Sequence, residues 1–261
     1  MYKNEHQRYL AKLRKKNFFI KITQLLIIIL FLIFWQILSD KEIINPFIAS
    51  SPKKVLETII NLYNTNSLFN HIWVTVYETL ISFSTGTILG IIIAILMWRS
   101  PFLAKVLDPY LTILNSLPKV ALGPIIIIWA GAGTKSIIIM ALLISLIITI
   151  ITVYNGFMST DINKIKLLKS LKATKHQILR LLILPGSYQT IISSLKINIS
   201  MSLIGVIMGE FLVSKKGIGY LIMYGSQVFN LNLVISGIII LIVVSYLMYI
   251  LVTFLEKKLI K

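Results

Sequence analysis

Residues 161 to 185 read DINKIKLLKSLKATKHQILRLLILP, the one long basic polar segment set between strongly apolar runs. Lys164, Lys166, Lys169, Lys172, Lys175 and Arg180 cannot lie in hydrocarbon, where each cation costs about 2.5 to 3.5 kcal/mol at the centre of a helix. The segment therefore sits in water although its neighbours do not. Ile165, Leu168, Leu171, Ile178 and Leu182 recur at helical spacing, which predicts an amphipathic helix in two pieces with one apolar and one basic face. A membrane protein that holds such an elbow outside the bilayer is presenting a docking surface.

The rest of the chain agrees with a membrane setting. Of its 261 residues 57% are hydrophobic and the mean hydropathy is +0.87, above the roughly 45 to 50% apolar share of a soluble globule. The apolar runs are continuous over about 20 residues rather than alternating over ten, so the spans are helices and a β-barrel is excluded. There is no cysteine, which removes disulfides and thiolate metal sites. His6, His71 and His176 stand too far apart to read as a metal site. The net charge of +17 would suit nucleic acid, but its distribution argues for topology instead. With the amino terminus inside, Lys3 to Lys21, Arg99, Lys105, the elbow and Lys257 to Lys261 are cytoplasmic. Only Lys41, Lys53, Lys54, Lys135, Lys215 and Lys216 fall outside. That positive-inside bias holds for an even number of spans with both ends in the cytoplasm, and it speaks for membrane topology and against a nucleic-acid partner.

Residues 1 to 21 read as a basic cytoplasmic tail and 22 to 38 as the first span, uncleaved because no small-residue site follows. Residues 39 to 72 form an extracytoplasmic loop. Within it Ser51 caps a helix that begins at Pro52 and places Val55, Leu56, Ile59, Ile60 and Tyr63 on one interfacial face. The second span runs from Trp73 to Trp98, with Ser82, Gly86, Gly90 and Ala94 as a small-residue stripe for packing within the chain. Glu78 lies near its outer end, either binding a substrate or a proton or, as about one helical turn of depth favours, standing as an interfacial carboxylate in contact with water.

Leu107 to Ala130 is interrupted by Pro109, Pro118 and Pro124, and broken helices in membranes face cavities. Lys119 there either meets an anionic solute in a pore or caps a helix end. Gly131 to Ser136 imitates a phosphate loop, but Thr134 stands where Gly is needed before Lys135. The fourth span is Ser136 to Tyr154. The fifth, Tyr188 to Val213, carries Ser194, Asn198 and Ser202 on one face, either lining a pore or bonding between helices. Leu231 to Leu255 is the sixth, anchored by Glu256, Lys257 and Lys258.

The elbow resembles the cytoplasmic loop of permease subunits of binding-protein-dependent ABC importers, whose signature is Glu-Ala-Ala, three residues, Gly, nine residues, Ile, one residue, Leu-Pro. Leu184-Pro185 closes the pattern, and Ser170-Leu171 and Ala173-Thr174 occupy its middle. Lys166, Leu167 and Leu168 replace Glu-Ala-Ala, and Lys172 replaces Gly, a position where Gly would tolerate the positive φ that Lys resists. The run Leu117-Pro118-Lys119-Val120-Ala121-Leu122-Gly123-Pro124, ending in Trp129-Ala130-Gly131, closely resembles the third-span region of the nitrate, sulfonate and taurine branch. Ser50 to Leu56 resembles that family's helix start, and Glu210 with Gly217-Ile218-Gly219-Tyr220-Leu221 resembles its outer loop.

The resemblance implies an all-α integral membrane protein of type I importer permease fold, with a core over 73 to 261 and a coupling loop at 161 to 185. It implies half of a dimeric pore, homodimeric or heterodimeric, in the plasma membrane. The chain itself would bind no cofactor and be no enzyme; ATP and magnesium would be used by partner ATPase subunits docked on Ser170, Leu171, Lys172, Ala173, Thr174, Leu184 and Pro185. An extracytoplasmic binding protein would deliver a small anion to the outer loops, facing Glu210, Gly217, Gly219 and Tyr220. The alternative from the residues alone is a proton-coupled secondary carrier using Glu78 and Glu210. Against it, neither carboxylate is near a span centre, six spans carry no internal repeat, and the elbow would have no purpose. No cluster of His, Asp or Cys supports a membrane enzyme.

Overall fold

The computed structural model describes residues 2–44 and 50–259. Helix α1, Tyr2–Asp40, carries tail and first span on one rod, because no Gly or Pro interrupts residues 2 to 40. The expected boundary at residue 21 is therefore a change of chemistry and not of structure. The apolar part of α1 is exposed as far as Phe34, with Phe31 and Phe34 outward; beyond it Gln36 Oε1 accepts from the Lys53 N–H at 3.1 Å and Ser39 is buried.

Helix α2, Pro52–Asn64, starts as expected: the Ser51 hydroxyl accepts from the Lys54 N–H at 3.3 Å. Its apolar face is divided more finely than the spacing suggests. Val55 is buried and Ile59 and Leu62 pack on the core, while Leu56, Ile60 and Tyr63 turn outward.

The core is three long helices. Helix α3 is Ser67–Arg99, and α4, Pro101–Ser116, leads into the break; beyond a short 3-10 turn at Lys119–Leu122, α5 is Gly123–Ala130. Helix α6, Thr134–Met158, then lies between α3 and α9, Tyr188–Val213. The small-residue stripes of both outer helices face it. Gly86 sits over Ser145, Gly90 over Thr149, Gly205 over the Ala141 backbone and Gly209 over Ile137. This is packing within the chain, as the stripe on the second span predicts. In lipid, where apolar surface gains little by leaving its surroundings, such close backbone approach is a main source of helix association.

The third span is bent by 94° between α4 and the segment Lys119–Ala130. Of the three prolines only Pro118 breaks the helix. It forces Leu117 to extended φ −65°, ψ 137°, because a residue before proline is driven from the α region. Pro109 stays inside α4, and Pro124 occupies the first turn of α5, where a missing N–H costs nothing. Among the described residues five helices are long and apolar enough to cross a membrane, and six if the bent pair counts as one span.

The elbow follows as α7, Ile162–Ser170, and α8, Lys175–Ile178. The chain ends with α10, Ile218–Gln227, and α11, Leu231–Leu259.

The α6–α9 contact yields a direct test. A Cβ at residue 205 would strike the Ala141 backbone, so Gly205→Ala is expected to cost about 1–3 kcal/mol through overpacking, read as a lower thermal midpoint of the detergent-purified protein.

Candidate functional site

The elbow turns at Lys172, which sits in the left-handed region at φ 57°. Leu168 accepts from the Ala173 N–H at 3.0 Å and Lys169 accepts from the Lys172 N–H at 2.9 Å, the paired bonds of a Schellman helix stop. The turn that Gly would make easily is thus made by Lys, held there by two backbone bonds. Thr174 then restarts the helix. Its hydroxyl accepts from the Gln177 N–H, and Gln177 Oε1 accepts from the Thr174 N–H at 2.7 Å, a full capping box.

Before Pro185 the helix widens to a π turn over Leu179–Ile183, in which the Leu184 N–H reaches Leu179 five residues back. Pro185 has no N–H, and its ring would strike a carbonyl one regular turn earlier; the wider turn relieves both.

One side of this elbow is rooted. Ile165, Leu168, Ala173, Leu182 and Leu184 pack with buried Ile178, Leu179 and Ile183 against Ala94 of α3 and Val153 and Phe157 of α6. The Lys175 ammonium reaches the Arg99 carbonyl at 3.4 Å, and the Ser187 hydroxyl donates to the Gly156 carbonyl at 2.9 Å. Leu171 departs from the expected apolar face: it is the last residue before the turn, which rotates its side chain outward to 70% exposure. Exposed Leu167 and Leu171 therefore stand among Lys166, Lys169, Ser170, Lys172 and Thr174 at the tip.

At the opposite end a buried carboxylate organises the outer loop. Glu210 is 1% exposed. Its Oε1 accepts from the Thr75 hydroxyl at 2.6 Å and its Oε2 from the Gly219 N–H at 2.5 Å. Thr75 in turn accepts from the Ile218 N–H at 2.8 Å, and His71 Nδ1 accepts from the Gly217 N–H at 3.0 Å. One carboxylate, one hydroxyl and one imidazole thus take up the free N–H groups at the start of α10. Gly217 lies at φ 110°, and a Cβ there would fall on the Glu210 carboxylate. Glu210, Gly217 and Gly219 are buried and cannot face a protein outside, which corrects that expectation. Tyr220 is partly exposed and stacks between His71 and Tyr224.

Glu78 is also corrected. It is 1% exposed rather than in contact with water, because α3 begins six residues earlier than Trp73 and carries this face against the protein.

The polar stripe on α9 lies inside the core of the single chain. Asn198 Nδ2 donates to Thr87 Oγ1 at 2.5 Å, Ser202 donates to Asn198 Oδ1 at 3.4 Å, and Ser194 to the Ile191 carbonyl at 2.6 Å. All three are buried, so they bind α9 to α3 and within itself instead of lining an open path. The exposed line on α9 is Ser193, Ile197, Ser200 and Ile204. Lys119 donates to the Asn115 carbonyl at 2.6 Å and so caps the end of α4.

The sequence profile of the binding-protein-dependent transport system inner membrane component family matches residues 86–261, which hold the elbow and Glu210 with the amides of Gly217, Ile218 and Gly219, while Thr75 and His71 lie before that match. The chain belongs to this family. It is a multi-span permease subunit of an ABC importer. It is 29% identical to the putative aliphatic sulfonates transport permease of Bacillus subtilis over 87% of this chain and 82% of that one. It is 23% identical to the taurine transport system permease of Escherichia coli, covering 86% and 84%. The permease also shares its fold with the membrane chain of an inward-facing methionine ABC transporter, at a TM-score of 0.67, 17% identity, and 75% and 97% coverage. As a permease subunit of an ABC importer the chain is not a solitary proton-coupled carrier, and that alternative is set aside.

Three features of the permease site were not read from the sequence. Thr75 and Thr79 extend the stripe Ser82, Gly86, Gly90 and Ala94 along the same helix face, by a three-residue and then a four-residue step, so the lock's hydroxyl was within reach of the pattern. His71, one turn earlier, continues it. The ion pair between Lys196 and Glu256, at 2.5 Å, joins α9 to the end of α11 and has no local signal.

Two outcomes follow from these turns. Glu210→Ala leaves the Gly219 N–H without an acceptor and the Thr75 hydroxyl with only the His71 carbonyl at 3.3 Å, at about 1–3 kcal/mol for the orphaned amide; tryptic cleavage after exposed Lys215 or Lys216 should become faster than in the parent. Lys172→Gly should stabilise the elbow by about 1 kcal/mol by removing left-handed strain from a side-chain-bearing residue, read as slower amide exchange at Ala173.

Proposed function

We propose that this permease forms one half of a dimeric pore for a small organic anion, with a sulfonate as the group transported, and that separate ATPase subunits grip the elbow. The observation that carries this reading is the elbow's division into a root packed on α3 and α6 and an exposed tip carrying Leu167 and Leu171. A tip that is apolar at its centre and cationic around it suits a groove with an apolar floor and an acidic rim. The root transmits displacement because it is packed as tightly as the core it joins.

ATP and magnesium belong to the partner, and the permease contributes no phosphate loop, consistent with Thr134 in place of the required Gly. A binding protein delivers the solute to the outer loops, among which the partly exposed Tyr220 and the segment Ser214–Lys216 are the accessible parts of the region near Glu210. Both termini lie in the cytoplasm, by the distribution of Lys and Arg. The sulfonate assignment is supported by what the relatives from Bacillus subtilis and Escherichia coli are named for.

The test is affinity purification of the tagged permease in mild detergent with an assay of ATP hydrolysis. An ATPase subunit should accompany the parent. Leu171→Asp places a carboxylate at the exposed tip and should abolish that association while leaving membrane insertion and yield unchanged. Unaltered co-purification would remove the elbow from the docking role.

A further inference from the structure

A recess of about 430 Å³ opens at the outer end of the core, lined by Val74 and Glu78 of α3, the turn Ala132–Thr134 that begins α6, and Val213–Lys216 after α9. That volume is ample for a small solute. Glu78 lines it although the residue is 1% exposed, and its Oε2 is buried with no hydrogen-bond partner. The contrast with its neighbour is sharp: Glu210 is equally buried, yet both of its oxygens receive donors from the protein. A buried carboxylate oxygen with no donor is costly, and the cost is removed by a group that brings N–H bonds and positive charge.

The chain does not supply that group. Among the described residues Glu78 makes no ion pair. Lys215 and Lys216 line the same recess but are exposed, directed to water. The recess thus presents a carboxylate on its inner wall and two cations on its rim. A simple anion would meet Glu78 with like charge, and a simple cation would meet the two lysines. A metal ion is poorly served, since a single carboxylate falls short of the six to eight oxygens a hard cation gathers, and no group of three or more acidic or imidazole side chains stands together among the described residues.

We propose that this recess is a subsite for a zwitterionic solute, with the ammonium group donating to Glu78 and the anionic group held between Lys215 and Lys216. The inference rests on the reading that the pore carries a small sulfonate-like anion, and it adds an amine to that solute. The Thr134 side chain, also on the inner wall, hydrogen-bonds Glu78 and holds the carboxylate at the recess, leaving Oε2 for the solute.

The test compares two probes that differ only in the amine. Equilibrium binding of labelled 2-aminoethanesulfonate is measured on the solubilised permease–ATPase complex without the soluble binding protein, with unlabelled ethanesulfonate as competitor. Ethanesulfonate should compete about tenfold or more weakly, the scale of a charge-assisted hydrogen bond, and Glu78→Gln should erase that difference. If Glu78→Gln does not assemble, the double variant Lys215→Gln with Lys216→Gln alters only the rim and should weaken binding of 2-aminoethanesulfonate by a similar factor. Equal competition by the two probes, no binding of the amine to the parent, or a preserved preference in Glu78→Gln would each overturn the subsite. ATP-driven uptake in vesicles containing permease, ATPase and binding protein separates the two readings. Uptake of ethanesulfonate without an amine preference overturns the subsite alone, and failure to take up either sulfonate overturns the function on which it rests.

Discussion

The structure depends on how closely α6 can be approached. A helix in lipid gains little from hiding apolar surface, so its neighbours must be held by contact between backbones and by hydrogen bonds that do not depend on water. Gly86, Gly90, Gly205 and Gly209 provide the contact on both sides of α6. The bond from Asn198 to Thr87 fastens α9 to α3. Helix α6 is 25 residues, about 37 Å, long. Its first residue, Thr134, lines the outer recess, and its last turn carries Phe157 into the cluster under the elbow. The two candidate sites are therefore attached to opposite ends of one closely packed rod.

At three places where the chain leaves the regular helical path, another group takes up the backbone. At the elbow, Leu168 and Lys169 carbonyls accept the two N–H groups of the turn; before Pro185, a wider turn finds Leu184 a partner; at the start of α10, Glu210, Thr75 and His71 accept three amides. At the start of α10 this is the membrane rule that irregular backbone survives only when buried in protein and satisfied there. It explains why a carboxylate is tolerated at the core end of α9. Glu210 replaces the water that would otherwise solvate the start of α10, and Gly217 and Gly219 are small because the carboxylate occupies the space a side chain would need.

The spans and the elbow were legible because their signals are local: long apolar runs, a basic interruption, and apolar spacing within it. The bounds of α9 were read as they stand, Tyr188 to Val213. The helix restart at Thr174 and the break at Pro118 follow from capping and pre-proline geometry. What could not be read was the direction of polar side chains on buried helices. Ser194, Asn198 and Ser202 recur every fourth residue, and that spacing is the same whether the stripe faces a path or a neighbouring helix. Only the position of α3 decides it. Leu171 failed for a different reason: periodicity assigns a residue to a face as if the helix continued, and the helix stops beside it.

The departures from the family pattern in the elbow also acquire a physical sense. Replacing Gly by Lys at 172 exchanges conformational ease for charge at the tip, and the Schellman bonds hold the backbone in the shape Gly would have adopted freely. Replacing the acidic start of the signature by Lys166-Leu167-Leu168 keeps Leu168 in the root and adds Leu167 to the tip. The root is thus constrained by packing against α3 and α6, and substitutions there disturb the fold. The tip is free of those constraints, so its charge can change without altering how the elbow is held. Under the proposed docking role, a partner at this tip would have to complement lysine where the family pattern presents glycine, while the packing of the root stays the same.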